Sequence, residues 1–284
     1  MVHDIDFIKV FNEASPLIQH LSGRIIVIKY GGAAMKDNSL KLQVIEDIVF
    51  LYNLGIKIIL VHGGGPMINS WLNKLNITPK FQNGIRITDH NTMPIVEMVL
   101  VGQVNKELVS LLNQKNIPAI GLSGKDANLI LSSKYFSGSD NLVGKVDMIN
   151  NQILTLLLDS GYIPVLASVA ADKFGETHNI NADTVAGAIA ESLECEKLVL
   201  LTDTSGIMID ISDISTLQKF LNISEVQNLI EQNVISGGMI PKVECCIKAL
   251  KNNVNATHII NGSIEHALLI ELLTINRSGS QIVL

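Results

Sequence analysis

The chain has 284 residues, 47% of them hydrophobic, and its 21 Lys and Arg against 27 Asp and Glu give a net charge of −6. That length and patterning support a large folded core and exclude a disordered chain. No apolar run reaches the ~18 residues of a membrane span, and no basic or aromatic-interleaved patch points to nucleic acid.

The opening Met1-Val2-His3-Asp4-Ile5-Asp6 is acidic and carries none of the sections expected of a signal or transit peptide. Cys195, Cys245 and Cys246 have no Cys-x-x-Cys spacing, so they read as reduced thiols in a reducing compartment, with no zinc site. An acidic chain that binds a polyanion must meet its charge locally, with a few lysines, helix N-termini and a metal.

Residues 1–21 predict an amphipathic helix, with Phe7, Ile8, Phe11, Ala14 and Ile18 near helical spacing and Pro16 kinking or breaking it. This helix precedes the first strand and needs a surface to cover, on its own subunit or on a second one. Ile25-Ile26-Val27-Ile28 then predicts a strand buried on both faces, as in a parallel sheet. It stops on Lys29-Tyr30-Gly31-Gly32. Lys29 is either the first solvated residue after the strand or a cation held against an anionic ligand beside bare backbone.

Ser39 is the expected cap of a helix to about residue 54, with Leu42, Ile45, Ile48, Val49 and Tyr52 buried and Gly55 ending it. Residues 56–61 predict a second buried strand, which completes a βαβ unit. His62-Gly63-Gly64-Gly65-Pro66 leads into a helix to residue 75. Proline suits a first helical turn, and the glycines leave N–H groups open to a carboxylate or phosphate. Residues 79–88 read as extended, with a hairpin turn at Asn83-Gly84 and Arg86 just beyond it.

A long helix is expected over about 91–115, a strand over 118–122, and a polar loop at Ser123-Gly124-Lys125-Asp126. Residues 132–150 read as strands and turns broken at Gly138 and Gly144, followed by a helix over 153–159 and a strand over 163–168. A loop then carries Asn179-Ile180-Asn181-Ala182-Asp183, with Asp183 at the mouth of a helix over 184–192. A strand over 197–201 runs into Thr202-Asp203-Thr204-Ser205-Gly206, and Ser224 opens a helix to about 232. Gly237-Gly238-Met239-Ile240-Pro241-Lys242 repeats the glycine-then-proline device before a helix to 250. A strand over 257–260, a helix over 265–273 and a strand over 281–284 finish the pattern. This βα alternation predicts a three-layer α/β/α sandwich with a mainly parallel central sheet, in two lobes joined near 170–180.

None of the glycine segments has Gly-x-Gly-x-x-Gly or Walker spacing, and no Gly-x-Ser-x-Gly elbow or metal-spaced histidine pair suggests a hydrolase. What remains is Lys29 and Lys242, each tied to a glycine pair, and Asp183 before a helix. Phosphoryl transfer needs such parts, because its catalysis is mostly positioning and electrostatics. Taken singly, the lysines could be solvated and Asp183 a helix cap.

Assembled in order, Ile28 to Gly32, Val61 to Pro66, Asn83 to Thr88, Gly121 to Asp126, Asn179 to Asp183 and Gly237 to Lys242 resemble the amino acid kinase family over nearly the whole chain. Within it, they are most similar to the members that phosphorylate N-acetyl-L-glutamate on its γ-carboxylate in arginine biosynthesis. The resemblance implies one kinase domain, with an N-terminal helical arm (1–21), a lobe for the amino-acid substrate and dimerisation (22–175), and a nucleotide lobe (176–284). It implies catalytic roles for Lys29, Lys242 and Asp183, and N-acetylglutamate contacts from Gly64, Gly65, Arg86 and Asn179. Arg86 suits that role because a guanidinium takes a carboxylate bidentately. Gly31, Gly32, Thr202, Asp203, Gly206, Gly237 and Met239 would bed ATP, with Mg²⁺ carried mainly on phosphate oxygens and no protein metal ligands.

Arginine-inhibited members carry an extra N-terminal helix that links dimers into a hexamer, and residues 1–21 resemble it. His258 and Glu271 match arginine-binding positions. The segment Ile275-Asn276-Arg277-Ser278-Gly279-Ser280 departs from the family's Asp-x-Gly-x-Gly-Thr-like ending, with an arginine where a small residue is usual. Some members also bind the PII signalling protein, and the compartment implied is a bacterial-type cytoplasm or a chloroplast stroma. The competing readings are a kinase for carbamate or for glutamate, and a non-catalytic arginine-sensing or PII-binding module.

Overall fold

In this computed structural model, which describes residues 4–32, 35–82, 85–136 and 140–284, helix α1 (Asp4–Leu21) leads into strand β1 (Ile25–Tyr30). Ile26, Val27 and Ile28 are fully buried, as an unbroken β-branched run requires of an inner parallel strand. Each such burial stabilises the fold by about 2 kcal/mol. Helix α1 runs through Pro16, which rules out the expected break there and leaves the kink as the surviving half of that reading. Pro16 is exposed, so the carbonyl it leaves without an amide partner can meet water. Ile8 and Phe11 face solvent, whereas Ile18 packs on the core.

Helix α2 (Asn38–Asn53) is capped by Asp37 and not by Ser39. The Asp37 carboxylate accepts the N–H groups of Ser39 and Leu40, two donors the first turn cannot satisfy itself. Leu42 is 45% exposed, against expectation, and the buried stripe is Val44, Ile45, Ile48 and Leu51. Strand β2 (Lys57–His62) and helix α3 (Gly65–Lys74) follow as read. Strands β3 (Phe81–Gln82) and β4 (Ile85–Arg86) form an antiparallel pair, and the Asn83-Gly84 turn lies outside the described residues.

The helix expected over 91–115 is α4 (Met93–Glu97), a π-helical segment (Met98–Val104) and α5 (Asn105–Gln114) in direct succession. Then come β5 (Ala119–Ser123), β6 (Ile130–Lys134), β7 (Val143–Ile149), α6 (Gln152–Asp159) and β8 (Ile163–Ala167). Gly138 lies outside the described residues. The stretch read as a loop after β8 holds two short strands, β9 (Val169–Ala171) and β10 (Thr177–Ile180). They close with β6 and β7 into a small four-stranded sheet.

The chain continues through α7 (Ala182–Ser192), β11 (Lys197–Thr202), β12 (Phe220–Asn222), α8 (Ile223–Glu231), α9 (Met239–Lys251), β13 (Ala256–Asn261), α10 (Ala267–Leu273) and β14 (Ser280–Val283). Helix α8 is opened by Asn222, in a capping box with Glu225, and not by Ser224.

Among the described residues the main sheet has eight strands in the order β12-β14-β13-β11-β1-β2-β8-β5. Its pairs are parallel except β13 with β14, so the βα alternation is not uniform to the end. Ile26, Ile28, Ile58 and Leu60 face a layer containing α2, α5 and α10; Val27, Ile59, Leu198 and Leu200 face α7 and α9. This is a three-layer α/β/α sandwich. Strand β1 lies at its centre, and the carboxyl ends of β1, β2 and β11 open on one edge. Among the described residues no helix is long and apolar enough to cross a membrane.

Candidate active site

Three residues from three elements meet at that edge. Lys29 Nζ lies 2.9 Å from Asp183 Oδ1, and Lys242 Nζ lies 2.7 Å from Asp183 Oδ2. Lys29 comes from the end of β1, Asp183 from the first turn of α7 and Lys242 from the first turn of α9. Asp183 is not the helix cap. Asn181 is, its side-chain oxygen accepting the N–H groups of Asp183 and Thr184 at 2.7 and 3.4 Å. That leaves both Asp183 oxygens to the two ammonium groups. The solvated-exit reading of Lys29 fails on burial, since its side chain is only 10% exposed.

Burial pushes the Asp183 carboxyl up, but Lys29 and Lys242 together outweigh it and hold it at about 2. Because this native value lies below the ordinary one of about 3.9, the group stabilises the fold above about pH 4. That contribution, roughly 2 kcal/mol, disappears as pH falls through about 2. The expected result is a urea midpoint that drops over this window in the wild-type chain and drops less in Asp183→Asn. Equal slopes in the two chains would separate acid sensitivity from this carboxylate.

The glycines keep this corner open. A Cβ on Gly31 would sit 2.9 Å from Lys29 Nζ, so a side chain there would displace the ammonium. Gly32 has φ +77, a conformation that favours glycine, and its Cα faces the Thr202–Asp203 backbone at the end of β11. After β2, a Cβ on Gly64 would lie 2.6 Å from Leu100 and 3.3 Å from Val104, both on the π-helical segment. The wide helix therefore packs directly on the glycine loop. Gly63 bonds back to Tyr30 through its N–H, which sets the loop beside the end of β1.

His62 fixes this loop from below. Its Nδ1 lies 2.8 Å from the Gly63 carbonyl and its Nε2 3.1 Å from Asn105 Nδ2. Burial pulls His62 down to about 4, so the ring is neutral and Nδ1–H donates to Gly63. Asn105 also donates to the Val165 carbonyl at 2.8 Å, tying β2 to β8.

Arg86 is buried beside the same loop. Its Nη2 donates to Asn69 Oδ1 at 2.6 Å and to the Gly65 carbonyl at 3.3 Å, and its guanidinium lies over the Phe81 ring at 4.8 Å. Its Nη1 is buried with no hydrogen-bond partner. An unpaired charged donor aimed into a buried corner is a site for an anion. Asn179 Nδ2 donates to Thr88 Oγ1 at 3.1 Å, and the Thr88 N–H donates to Asn141 Oδ1 at 2.9 Å. Asn69, Thr88 and Asn141 were not singled out by sequence. Thr88 lay inside a recognised motif, but nothing in the pattern marked Asn69 or Asn141.

A cavity of about 550 Å³ opens beside the end of β11. Two of the residues expected to bed a nucleotide, Gly206 and Met239, line it, while Gly31, Gly32, Thr202, Asp203 and Gly237 do not. Most of its wall is apolar (Ile207, Met208, Ile209, Val234 and Ile235), a lining suited to a flat heterocycle and unmarked by any motif.

His258 and Glu271 are brought together, with Nδ1 and Oε1 2.8 Å apart, and both side chains are fully buried. Burial pulls His258 down to about 4, so its neutral ring can accept from Lys197 Nζ at 3.3 Å. Glu271 also accepts the Gly279 N–H at 2.8 Å and lies 3.9 Å from Arg277 Nη1. Arg277 stacks over Phe220 at 4.5 Å.

A buried acid gripping two lysines at the edge of a parallel sheet, next to two glycine loops, is an arrangement suited to phosphoryl transfer. The chain belongs to the amino acid kinase family, whose sequence model matches residues 24–261. It is 59% identical to an acetylglutamate kinase from Gracilaria tenuistipitata var. liui, over 100% of both chains. It is 54% identical to an acetylglutamate kinase from Thermosynechococcus vestitus, over 100% of this chain and 96% of that one. Among solved structures, N-acetylglutamate synthase from Neisseria gonorrhoeae complexed with coenzyme A and N-acetyl-glutamate is similar at a TM-score of 0.86 and 26% identity. The match covers 98% of this chain and 63% of that one, so this chain spans less than two thirds of the synthase. Giardia carbamate kinase shares the fold, at a TM-score of 0.66 and 16% identity over 92% of this chain and 99% of that one.

Proposed function

We propose that the chain transfers the γ-phosphoryl group of ATP to the side-chain carboxylate of N-acetyl-L-glutamate, a step of arginine biosynthesis. The observation that carries this is the buried Lys29–Asp183–Lys242 bridge, in a chain more than half identical along its full length to acetylglutamate kinases. A carboxylate oxygen attacks the γ-phosphorus, the bond to the β-phosphate oxygen breaks, and ADP and the acyl phosphate form. No proton has to move. The task left to the protein is to neutralise charge and hold two anions in line.

Lys29 and Lys242 approach the moving phosphoryl group from two elements, and Asp183 orients both. The N–H groups of Gly64 and Gly65 at the start of α3 and the free Nη1 of Arg86 receive the substrate's carboxylates. With Asn179 Nδ2 engaged by Thr88, Asn179 Oδ1 is left to accept the substrate's acetamido N–H. Gly31, Gly32, Thr202, Asp203, Gly206, Gly237 and Met239 border the nucleotide. Both Asp183 oxygens are taken by lysines, so Mg²⁺ fits here as an ion carried on phosphate oxygens. Residues 22–175 would then serve the amino-acid substrate and 176–284 mainly the nucleotide.

The finer reading includes arginine as an inhibitor acting near His258 and Glu271, and a dimer or hexamer in which helix α1 is the linking arm. The exposed Ile8 and Phe11 support such an arm. It also includes PII as a partner and a bacterial-type cytoplasm or chloroplast stroma, in keeping with relatives from cyanobacteria and red algae. One assay tests the core of this. ADP release is followed with N-acetyl-L-glutamate, L-glutamate, L-aspartate and carbamate in parallel, with and without arginine. N-acetyl-L-glutamate is expected to be preferred, and faster turnover on carbamate or glutamate would replace the reading with its alternatives.

A further inference from the structure

We propose that Asp172, Glu176 and His178 form a site for a divalent transition-metal ion, such as Zn²⁺, at the turn between β9 and β10. It is separate from any ion that accompanies a nucleotide. One ligand atom from each residue lies within 4.8 Å of the others. In tetrahedral geometry, bonds of ~2.0–2.2 Å place two ligands of one ion about 3.3–3.6 Å apart, so closure asks up to roughly 1.5 Å of movement from two partly exposed carboxylates.

His178 is the strongest indication of a ligand. Its ring is fully buried, and Nε2 has no hydrogen-bond partner. Nε2 is 3.6 Å from Glu176 Oε2, too far for a hydrogen bond. On the other side of the ring, Nδ1 lies 3.0 Å from the buried hydroxyl of Ser132 on β6. When Nδ1–H donates to Ser132, the Nε2 lone pair faces the two carboxylates. This is the arrangement of a metal-binding histidine, whose second nitrogen is held by an outer partner.

The turn is built to bring the acids together. One Asp172 oxygen accepts the N–H groups of Phe174 and Glu176 at 2.8 and 2.9 Å, which leaves its other oxygen for an ion. Lys134 Nζ lies 3.0 Å from Glu176 Oε2 and holds that carboxylate where the ion would. Both side chains are 31% exposed, so the lysine can turn out to water when a metal enters. An imidazole with two carboxylates selects Zn²⁺ or a similar ion over Mg²⁺, which prefers oxygen ligands throughout. The cysteines do not compete, because Cys195 and Cys246 are buried with thiols pushed up to about 12, and burial raises Cys245 as well. A bound ion would pin the turn that leads into β10, the strand that carries Asn179.

The test is isothermal titration of the chelator-treated full chain with ZnCl₂, and separately with MgCl₂, without nucleotide. Wild type is expected to take up one Zn²⁺ per chain and to unfold at a higher temperature when loaded. Asp172→Asn/Glu176→Gln should lose that uptake and that thermal shift. Ser132→Ala should weaken Zn²⁺ binding about 10- to 100-fold, as loss of an outer partner does. Lys134→Ala, which removes the competing cation and no ligand, should tighten it. Equal Zn²⁺ affinity in the double variant, tighter binding of Mg²⁺ than of Zn²⁺, or no uptake by either wild type or Lys134→Ala would overturn the site.

Discussion

Replacing Lys29 or Lys242 with alanine is expected to cut turnover by about 100- to 1,000-fold, the usual cost of losing one preorganised charge partner of a transition state. The KM for N-acetyl-L-glutamate should change little, because these ammonium groups act where charge moves during transfer and not on the substrate's anchoring groups. Each variant keeps one of the two bonds to Asp183, so neither leaves the buried carboxylate without a cation. Steady-state kinetics beside thermal unfolding curves would show the effect, with folded protein retained at a lowered unfolding temperature and turnover lost far beyond what that destabilisation explains. Unchanged turnover in both variants would remove the bridge from the chemistry.

Arg86→Lys is expected to do the reverse, raising the KM for N-acetyl-L-glutamate about 10- to 100-fold while turnover at saturation is largely kept. That range corresponds to the 1.5–3 kcal/mol typical, roughly, of a hydrogen bond to a charged group. In the native chain one nitrogen of the fork is spent on Asn69 and Gly65, and the other is free and buried. A lysine has no fork, so it cannot hold the loop and the substrate carboxylate together. A loss of turnover with an unchanged KM would count against a carboxylate role for this position.

The sheet and the two lysines that meet Asp183 were legible because their signals are local. The run Ile25 to Ile28 states its burial outright, and a lysine followed by two glycines at a strand exit is a short-range pattern. Strands β9 and β10 were not legible. With three and four residues, they are too short for an alternation to develop, and besides each other their partners, β6 and β7, lie more than twenty residues upstream. The caps lie two positions before the residues read as caps or helix starts at α2, α7 and α8, where several Asn, Asp and Ser compete and only the hydrogen bonds decide. At the site, Asn69 and Asn141 escaped because an asparagine marks nothing until its neighbours are in place. The apolar wall of the cavity was hidden for the opposite reason. Ile209 and Val234 look like any core residues until the fold leaves them facing open space.

The position of β1 also bears on how the chain acquires activity. Its two neighbours in the sheet are unequal: β2 follows closely, but β11 pairs Ile26 with Lys197, far along the chain. Parallel pairings over such separations form late, since the intervening loop must lose its freedom before any contact rewards it. Asp183 lies between those partners and Lys242 beyond them, so no N-terminal fragment ending before α9 can contain the completed bridge. During synthesis or refolding, the first half can gather its own βαβ unit and remain inert. Catalytic competence is then a property of the finished chain, and its recovery marks the closing of the central sheet.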